Sequence, residues 1–241
     1  MNLQISGKCA LVTGASAGIG RGIALALAKE GVRLALAARR ADLLADVAQE
    51  IADAGGPAPA VFATDVTAED AAQALATHTL AALERVEILV NCAGGSRPLA
   101  LDAPEDAWDE AIALNFTSHR RLTHALLPSM IAQGWGRIIN ITGKSEPEGL
   151  NAAFAAKAAM HAWAKGLSRE VGRFGITVNS IPPGKIISEQ ILRNYSPEVR
   201  ARESEEAIPV GEYGQPEDIA NLVCFLASPL ARYITGAVIP V

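Results

Sequence analysis

The sequence Thr13-Gly14-Ala15-Ser16-Ala17-Gly18-Ile19-Gly20 carries the most information about the fold, because it joins an apolar run to a helical pattern. The apolar run Cys9-Ala10-Leu11-Val12 is typical of a buried strand, and an amphipathic helix is predicted after the glycines. Glycine lets the backbone bend sharply and lets an anion approach the free N–H groups at the helix start. A glycine triplet alone is a weak signal. Between a strand and a helix, however, it predicts a site for the pyrophosphate of a dinucleotide.

Short apolar runs alternate with longer helical patterns along the whole chain. Strands are predicted at 9–13, 33–38, 59–64, 87–91, 137–142, 177–182 and 237–241, and helices near 18–30, 41–54, 68–84, 106–133 and 150–173. The run at 33–38 is apolar almost throughout, which is typical of a parallel strand buried on both faces. The alternation predicts an α/β fold with a doubly wound (Rossmann) parallel seven-stranded sheet, helices on both faces, and a single domain over 1–241.

Composition and charge restrict the class of protein. With 241 residues, 50% hydrophobic and 20% charged, the chain is typical of a soluble globular domain with a sizeable core. The net charge is -5 and the basic residues are scattered, which argues against nucleic-acid binding. No apolar run is long enough to cross a bilayer and no signal peptide is apparent, so a cytoplasmic location is expected. The three cysteines show no metal-binding spacing, and we expect no metal site.

One stretch, from about 184 to 213, departs from the regular alternation. It combines charged residues, Pro197 and Pro209 with a modest helical pattern. Because it follows a predicted strand, it should lie at the carboxyl edge of the sheet, where α/β proteins bind ligands. We interpret it as a mobile substrate lid, and the alternative is a plain surface excursion.

The motifs of the chain, taken in order, resemble those of the short-chain dehydrogenase/reductase family. The glycine turn matches the family's Thr-Gly-x-x-x-Gly-x-Gly, and Asn91-Cys92-Ala93-Gly94 is similar to its Asn-Asn-Ala-Gly, with cysteine at the second position. The other matching positions are Asp65-Val66, Asn115, Pro183-Gly184 and Gly236. The resemblance covers essentially the whole chain, and together these motifs are specific for the family. Within the family, the overall resemblance is to 3-oxoacyl carrier-protein reductases.

The resemblance implies a nicotinamide-cofactor site assembled from these motifs. Its expected residues are Gly14, Ser16, Gly18, Ile19, Gly20, Arg39, Arg40, Asp65, Val66, Asn91, Ala93, Gly94, Lys157, Pro183, Gly184, Ile186 and Ser188. Asp65-Val66 corresponds to the pair that contacts adenine. Ser188 falls where the family usually has a threonine that contacts the carboxamide.

The end of the second predicted strand indicates which cofactor is used. An acidic residue there would accept a hydrogen bond from the ribose 2′-OH of NAD, but this chain has Ala38 followed by Arg39 and Arg40. No carboxylate repels a 2′-phosphate, and guanidinium groups are available to pair with it, so NADP is favoured over NAD. Alternatively, Arg39 and Arg40 are solvated surface charges.

The family's catalytic serine and tyrosine have no counterpart in this chain. In the family, a lysine four residues after the tyrosine lowers its pKa and holds the nicotinamide ribose, and Lys157 matches that lysine. The tyrosine position is Ala153, followed by Phe154, and the serine position is Gly143. The segment between Gly143 and Lys157 is also shorter than usual in the family.

Several residues are candidates to replace the missing groups. Ser145 or Thr142 would orient the substrate if the loop bends differently, although loop serines are commonly just solvated. Tyr195, in the lid, would act as a proton donor if it reaches the nicotinamide; otherwise it is a packing aromatic. Lys157 itself is a candidate acid or base, and His161 lies one turn beyond it, where a packing role is the alternative. Asn115 either anchors a water relay, as in the family, or is bonded to backbone.

Three functions are compatible with these residues to different degrees. The first is an NADP(H)-dependent oxidoreductase that interconverts carbonyl and alcohol with a non-standard proton donor, acting on a moderately hydrophobic small molecule. The second is a catalytically inactive NADP-binding subunit or sensor, because every retained family residue is explained by cofactor binding. The third, cofactor-free chemistry on this fold, is disfavoured by the intact glycine turn. Under either of the first two, a homodimer or homotetramer is expected through the long helices near 106–133 and 150–173.

Overall fold

The computed structural model of the protein describes residues 1–143 and 149–241, so the candidate Ser145 lies outside the described residues. The strands, all parallel, are β1 Cys9–Thr13, β2 Arg33–Ala38, β3 Ala60–Ala63, β4 Ile88–Asn91, β5 Gly136–Ile141 and β6 Ile176–Ile181. Their order in the sheet is β3-β2-β1-β4-β5-β6. The chain therefore reverses direction across the sheet between β1 and β4, and the carboxyl ends of these two strands form the crevice where such folds bind ligands.

The helices lie between these strands and after the last of them. They are α1 Gly18–Lys29, α2 Ala41–Asp53, α3 Ala71–Leu83, α4 Glu105–Ile112, α5 Ser118–Gln133, α6 Ala152–Val171, α7 Glu189–Asn194, α8 Pro197–Glu206 and α9 Pro216–Leu226. Within the described part of the chain, none is both long and apolar enough to span a lipid bilayer.

The core consists of two apolar layers, one on each face of the sheet. Alternate residues of β1 enter different layers, with Ala10 and Val12 in one and Cys9 and Leu11 in the other. The first layer is completed by α1, α2 and α9, and the second by α3, α5 and α6. This two-sided burial confirms the α/β architecture and the nearly continuous apolar strands that the sequence predicts.

The prediction of a seventh strand at 237–241 is wrong, because the sheet has six strands among the residues that the structure describes. The segment does run beside β6 and forms one parallel bridge, between Ser180 and Val238. The ladder fails on both sides of that bridge. On one side the backbone N–H of Val178 donates to the side chain of Thr235, and on the other Pro182 has no N–H to donate.

The single long helix predicted over 106–133 is also interrupted. Between α4 and α5, residues 113–117 form a π-helical turn that contains Asn115. Such turns insert one extra residue into a helix and are frequent at functional sites. Its effect here is to bring the Asn115 side chain to the carboxyl edge of the sheet, as described below.

The segment at 184–213 contains two short helices, α7 and α8, after β6. Its two ends are joined by a parallel bridge between Ile186 and Gly214. The N–H of Ile187 donates to the Gly214 carbonyl at 2.8 Å, and the N–H of Gly214 donates to the Lys185 carbonyl at 3.0 Å. The excursion is therefore closed at its base, and α7 and α8 project from that base.

Candidate functional site

The glycine turn packs tightly against its surroundings and leaves the start of α1 open. Gly14 has φ +67°, and a Cβ on it would lie 2.9 Å from the backbone of Ala93. A Cβ on Gly20 would overlap the carbonyl oxygen of Gly14. No side chain caps α1 at Ala17, so the N–H groups of its first turn remain available. This arrangement suits a phosphate group held by backbone N–H groups and the helix dipole.

The floor of the crevice is held by Thr13, a residue whose role sequence reasoning missed. Its hydroxyl oxygen accepts hydrogen bonds from the N–H groups of Cys92 at 3.0 Å and Ala93 at 3.1 Å. These bonds connect the end of β1 to the loop after β4. The Asn91 side chain is buried, and its amide donates to Thr123 and Asn140, so this side chain positions neighbouring elements.

Asn115 and His119 hold the loop after β4 from the other side. The side-chain oxygen of Asn115 accepts from the Gly95 N–H at 3.2 Å, and its amide donates to the Ala111 carbonyl at 2.9 Å. His119 Nε2 lies 2.6 Å from the Ala93 carbonyl oxygen. Burial lowers the pKa of His119 to about 4, so the ring is neutral. Because a carbonyl only accepts, Nε2 carries the proton. His119 was missed from sequence, although it lies one turn after Asn115.

Lys157 lies on α6 with its side chain against Gly143, which we align by sequence with the family's serine. A Cβ on Gly143 would lie 2.9 Å from Lys157 Cδ and 3.6 Å from its Nζ. Burial lowers the pKa of Lys157. Burial raises the pKa of Cys92 to about 12, so its thiol stays neutral. The aliphatic chain of Lys157 therefore occupies the space beside position 143 that a larger side chain would need, and its amine lies next to that space.

The other candidate residues around Lys157 either already have a hydrogen-bond partner or lack a hydroxyl group. Ala153, which we align by sequence with the family's tyrosine, is buried in the first turn of α6, and its N–H donates to Asn151 Oδ1 at 2.9 Å. Thr142 Oγ1 lies 2.8 Å from His161 Nε2, so these two candidates contact each other. Burial lowers the pKa of His161, which favours its neutral form. Ala153 has no hydroxyl, and Thr142 is already bonded.

The first lid helix, α7, lies over the glycine turn. Ser188 caps α7 by accepting from the Ile191 N–H at 3.2 Å, and its Cβ lies 3.4 Å from where a Cβ on Gly18 would be. Gln190 Nε2 donates to the Ser96 carbonyl at 2.9 Å, which connects the lid to the loop after β4. Sequence reasoning missed Gln190, since no local pattern indicates its partner.

The predicted phosphate-binding Arg40 contacts the lid. Its guanidinium lies 2.9 Å from the carboxylate of Glu189 on α7, and both side chains are about half exposed. A cavity of about 260 Å³ lies beside this pair and is lined by Ser16, Gly18 and Glu189, with residues of α1 and α2. Arg39 is exposed at the end of β2 next to the buried Ala38. The charged residues that line this cavity are Arg21, Asp46 and Glu189, and Arg40 reaches it through its ion pair with Glu189.

The remaining predicted cofactor residues lie at the same edge of the sheet. Asp65 accepts from the N–H of Thr67 at 2.9 Å and from its hydroxyl at 2.7 Å, and these bonds lower the pKa of Asp65. Gly184 donates its N–H to the Val241 carbonyl at 2.7 Å. Ile186 is buried in the first apolar layer at the lid base. A Cβ on Gly94 would lie 3.0 Å from Asn115 Oδ1.

Tyr195 lies in a polar cluster of the lid. Its ring centroid is 4.9 Å from Lys185 Nζ, and Lys185 pairs with Glu203 at 3.0 Å. Tyr213 also bonds to Glu203. Within residues 1–143 and 149–241, no hydrogen bond joins Tyr195 to Lys157, so in this conformation the structure groups Tyr195 with the lid.

Known proteins match this chain along its whole length. A family model described as Enoyl-(Acyl carrier protein) reductase matches residues 14–241. The 7alpha-hydroxysteroid dehydrogenase of Escherichia coli (strain K12) is 36% identical over 243 residues, which cover 100% of this chain and 94% of that protein. The 3-oxoacyl-(acyl-carrier-protein) reductase FabG of Pseudomonas aeruginosa is 37% identical, over 99% of this chain and 97% of that protein.

Two solved structures superpose closely on this one. A 7 alpha-hydroxysteroid dehydrogenase complexed with NADH and 7-oxo glycochenodeoxycholic acid has a TM-score of 0.95 at 34% identity, covering 100% of this chain and 94% of that one. L-sorbose reductase from Gluconobacter frateurii, complexed with NADPH and L-sorbose, has a TM-score of 0.94 at 29% identity, covering 100% and 97%. The two relatives thus hold different nicotinamide cofactors on the same fold.

Proposed function

We propose that this chain, which belongs to the short-chain dehydrogenase/reductase family, is an NADP(H)-dependent oxidoreductase that interconverts a carbonyl and an alcohol by hydride transfer. The observation that carries the proposal is the glycine turn with the uncapped start of α1, which fits a dinucleotide pyrophosphate. The dehydrogenase and reductase relatives support the same reaction class. When bound, the cofactor supplies the hydride chemistry, and the protein binds the cofactor, orients the substrate and supplies the proton.

The residues around the crevice have distinct roles in this proposal. Asp65 and Val66 face adenine, and Lys157 holds the nicotinamide ribose. Backbone and side chains after β6, at Pro183-Gly184, Ile186 and Ser188, hold the nicotinamide. The substrate enters between the lid and the loop after β4, which Asn115 and His119 support. We expect a small carbonyl or alcohol substrate, and a homodimer or homotetramer through α5 and α6.

Lys157 is the proton donor that the geometry supports best. Reduction of a carbonyl places a hydride on carbon and a proton on oxygen, and in this family tyrosine normally provides that proton. Here Ala153 provides no hydroxyl, and Gly143 leaves room for the Lys157 side chain, whose Nζ lies 3.6 Å from where a Cβ at position 143 would be. The ammonium form releases a proton to the developing alkoxide and becomes a neutral amine, which solvent reprotonates. A lysine with a lowered pKa is a better acid than an ordinary one.

This role predicts opposite pH dependences for the two directions of the reaction. Burial lowers the pKa of Lys157, so its ammonium form is lost at a lower pH than that of an ordinary lysine, about 10.4. The rate of carbonyl reduction should therefore fall as pH rises through this lowered pKa, and alcohol oxidation should rise. Steady-state kcat measured in both directions against pH checks this. A reduction rate that increases with pH would contradict a lysine donor.

The function itself is tested by NADPH and NADH oxidation against a panel of carbonyl compounds. The panel contains 3-oxoacyl thioesters, 7-oxo steroids and ketoses, which represent the chemistry named for the relatives. Turnover with NADPH supports the proposal. Tight NADPH binding with no turnover of any carbonyl would instead support a cofactor-binding subunit or sensor.

Arg39 should determine cofactor preference. We expect Arg39→Gln to weaken NADPH binding by about tenfold and leave NADH binding within about twofold, because only NADPH carries the 2′-phosphate that forms a charge-assisted bond. Calorimetric Kd values for both cofactors measure the effect. Arg33→Gln, at the opposite end of β2, removes the same charge and should change neither Kd. Equal weakening of NADPH and NADH in Arg39→Gln would contradict a role at the 2′-phosphate.

A further inference from the structure

A second cavity lies at the amino-terminal ends of β5 and β6. Its volume is about 350 Å³, and its side-chain lining includes Trp135, Arg137, Thr177, Arg232 and Thr235. The glycine turn follows the carboxyl end of β1, so in a parallel sheet this cavity lies at the opposite edge from the dinucleotide site. None of its lining residues takes part in the proposed reaction.

The most unusual residue of this cavity is Arg137, whose side chain is buried inside β5. Only 2% of Arg137 is exposed. Its Nη1 donates to the carbonyls of Gly136 at 2.8 Å and Gly175 at 3.1 Å, and its Nε donates to the Ser228 carbonyl at 3.3 Å. Burial lowers the pKa of Arg137 to about 10, still well above neutrality, so the guanidinium remains charged.

No carboxylate neutralises this buried charge within residues 1–143 and 149–241. Carbonyl oxygens offer partial negative charge but no formal charge, and buried charges are normally paired. The guanidinium carbon Cζ of Arg137 lies 4.2 Å from the centroid of the Trp135 ring, and Lys8 Nζ lies 4.0 Å from the same centroid. Glu87, which pairs with Lys8 at 2.9 Å, is also bonded to Arg85 and to the Cys9 N–H. The Glu87 carboxylate is therefore already paired with Lys8 and Arg85.

The other polar side chains that line the cavity are able to donate hydrogen bonds. Arg232 is exposed, and in the described part of the chain it forms no ion pair. Thr235 Oγ1 accepts from the Val178 N–H at 3.0 Å, which leaves its hydroxyl hydrogen free to donate. Among the described residues that line the cavity, none is acidic. Two guanidinium groups therefore face one space in a chain whose net charge is -5.

We infer that this cavity binds a small organic anion, a carboxylate or phosphate ester whose apolar part packs against Trp135. Guanidinium groups match the geometry of both anions, and a cavity of this size accommodates a small ligand rather than a bare ion alone. The anion would supply the negative formal charge that no carboxylate provides for the Arg137 guanidinium. This binding does not depend on the proposed reaction, since the cavity and the glycine turn lie at opposite edges of the sheet.

The test is calorimetric titration of the full chain at low salt with inorganic phosphate, phenyl phosphate and benzoate, with and without saturating NADPH. We expect phenyl phosphate or benzoate to bind at one site per chain, more tightly than phosphate and independently of NADPH. Arg232→Gln should weaken binding by about tenfold, whereas Lys29→Gln, an equal charge change at an exposed residue of α1, should not. Hydrogen exchange should slow at 172–177 and 229–235. Comparing the Kd values of benzoate and phenyl phosphate shows whether the cavity prefers a carboxylate or a phosphate ester.

Because Arg137 is buried, Arg137→Met would alter folding as well as binding, so the test uses the exposed Arg232. Equal weakening in Arg232→Gln and Lys29→Gln would show general charge attraction and overturn the inference. Displacement of the probe by NADPH would place it in the dinucleotide site, with the same consequence. Absence of binding by all three probes would also overturn it, while leaving the proposed oxidoreductase function unaffected.

Discussion

Lys157→Met should lower the rate of carbonyl reduction by about 10²–10⁴-fold, the usual contribution of a positioned proton donor. Methionine keeps an unbranched side chain of similar length against Gly143 but cannot carry a proton. The residual rate should no longer fall as pH rises, because the group that titrates has been removed. Single-turnover rates at saturating NADPH, measured across pH, check both expectations.

Two controls separate proton donation from cofactor binding. The NADPH Kd of Lys157→Met, measured by calorimetry, shows how far the lysine also holds the ribose. Tyr195→Phe should keep reduction within about twofold, because the Tyr195 ring lies against Lys185 in the lid. If Tyr195→Phe instead loses activity while Lys157→Met retains a pH-dependent rate, the lid tyrosine is the donor.

Gly20→Ala should abolish tight NADPH binding and reduce the free energy of unfolding by about 1–3 kcal/mol. The added Cβ would overlap the carbonyl oxygen of Gly14, a backbone atom that cannot rotate away. Either α1 or the glycine turn must therefore shift, and the N–H groups at the start of α1 move away from the pyrophosphate position. Thermal or urea unfolding gives the stability change, and calorimetry gives the cofactor affinity.

Gly166→Ala is the matched control for this change. Gly166 lies exposed inside α6, and a Cβ there would have no atom within 4 Å. Alanine at this position should stabilise the protein by about 0.5–1 kcal/mol, because glycine is a poor helix former. Unchanged NADPH affinity in Gly20→Ala, at unchanged stability, would show that the turn tolerates a side chain and would contradict its role as the phosphate cradle.

The failed prediction of a seventh strand shows what an apolar pattern leaves out. The segment 237–241 is apolar and lies beside β6, as predicted. Whether it forms a strand depends on the donors of its neighbour, and Pro182 has none. The π-helical turn at 113–117 was missed for a different reason. One extra residue in a helix changes the hydrogen bonds but hardly changes the apolar periodicity.

Local patterns in the sequence were sufficient for the fold class, the six strands and the glycine turn. Strand burial and the start of α1 depend on residues close together in the chain, and their backbone requirements are visible in residue type. The sequence also shows that Ala153 and Gly143 carry no hydroxyl group, so neither can do the chemistry of a tyrosine or a serine.

Only the tertiary structure brought distant side chains together. The packing of Lys157 against Gly143, the pairing of Arg40 with Glu189 and the uncompensated burial of Arg137 all depend on the paths of loops between elements. Sequence periodicity records which face of an element is buried, but it does not record which segment covers that face. The proposed proton donor and the proposed second anion site both rest on those long-range contacts, since burial and charge pairing act between residues that meet only in the folded chain.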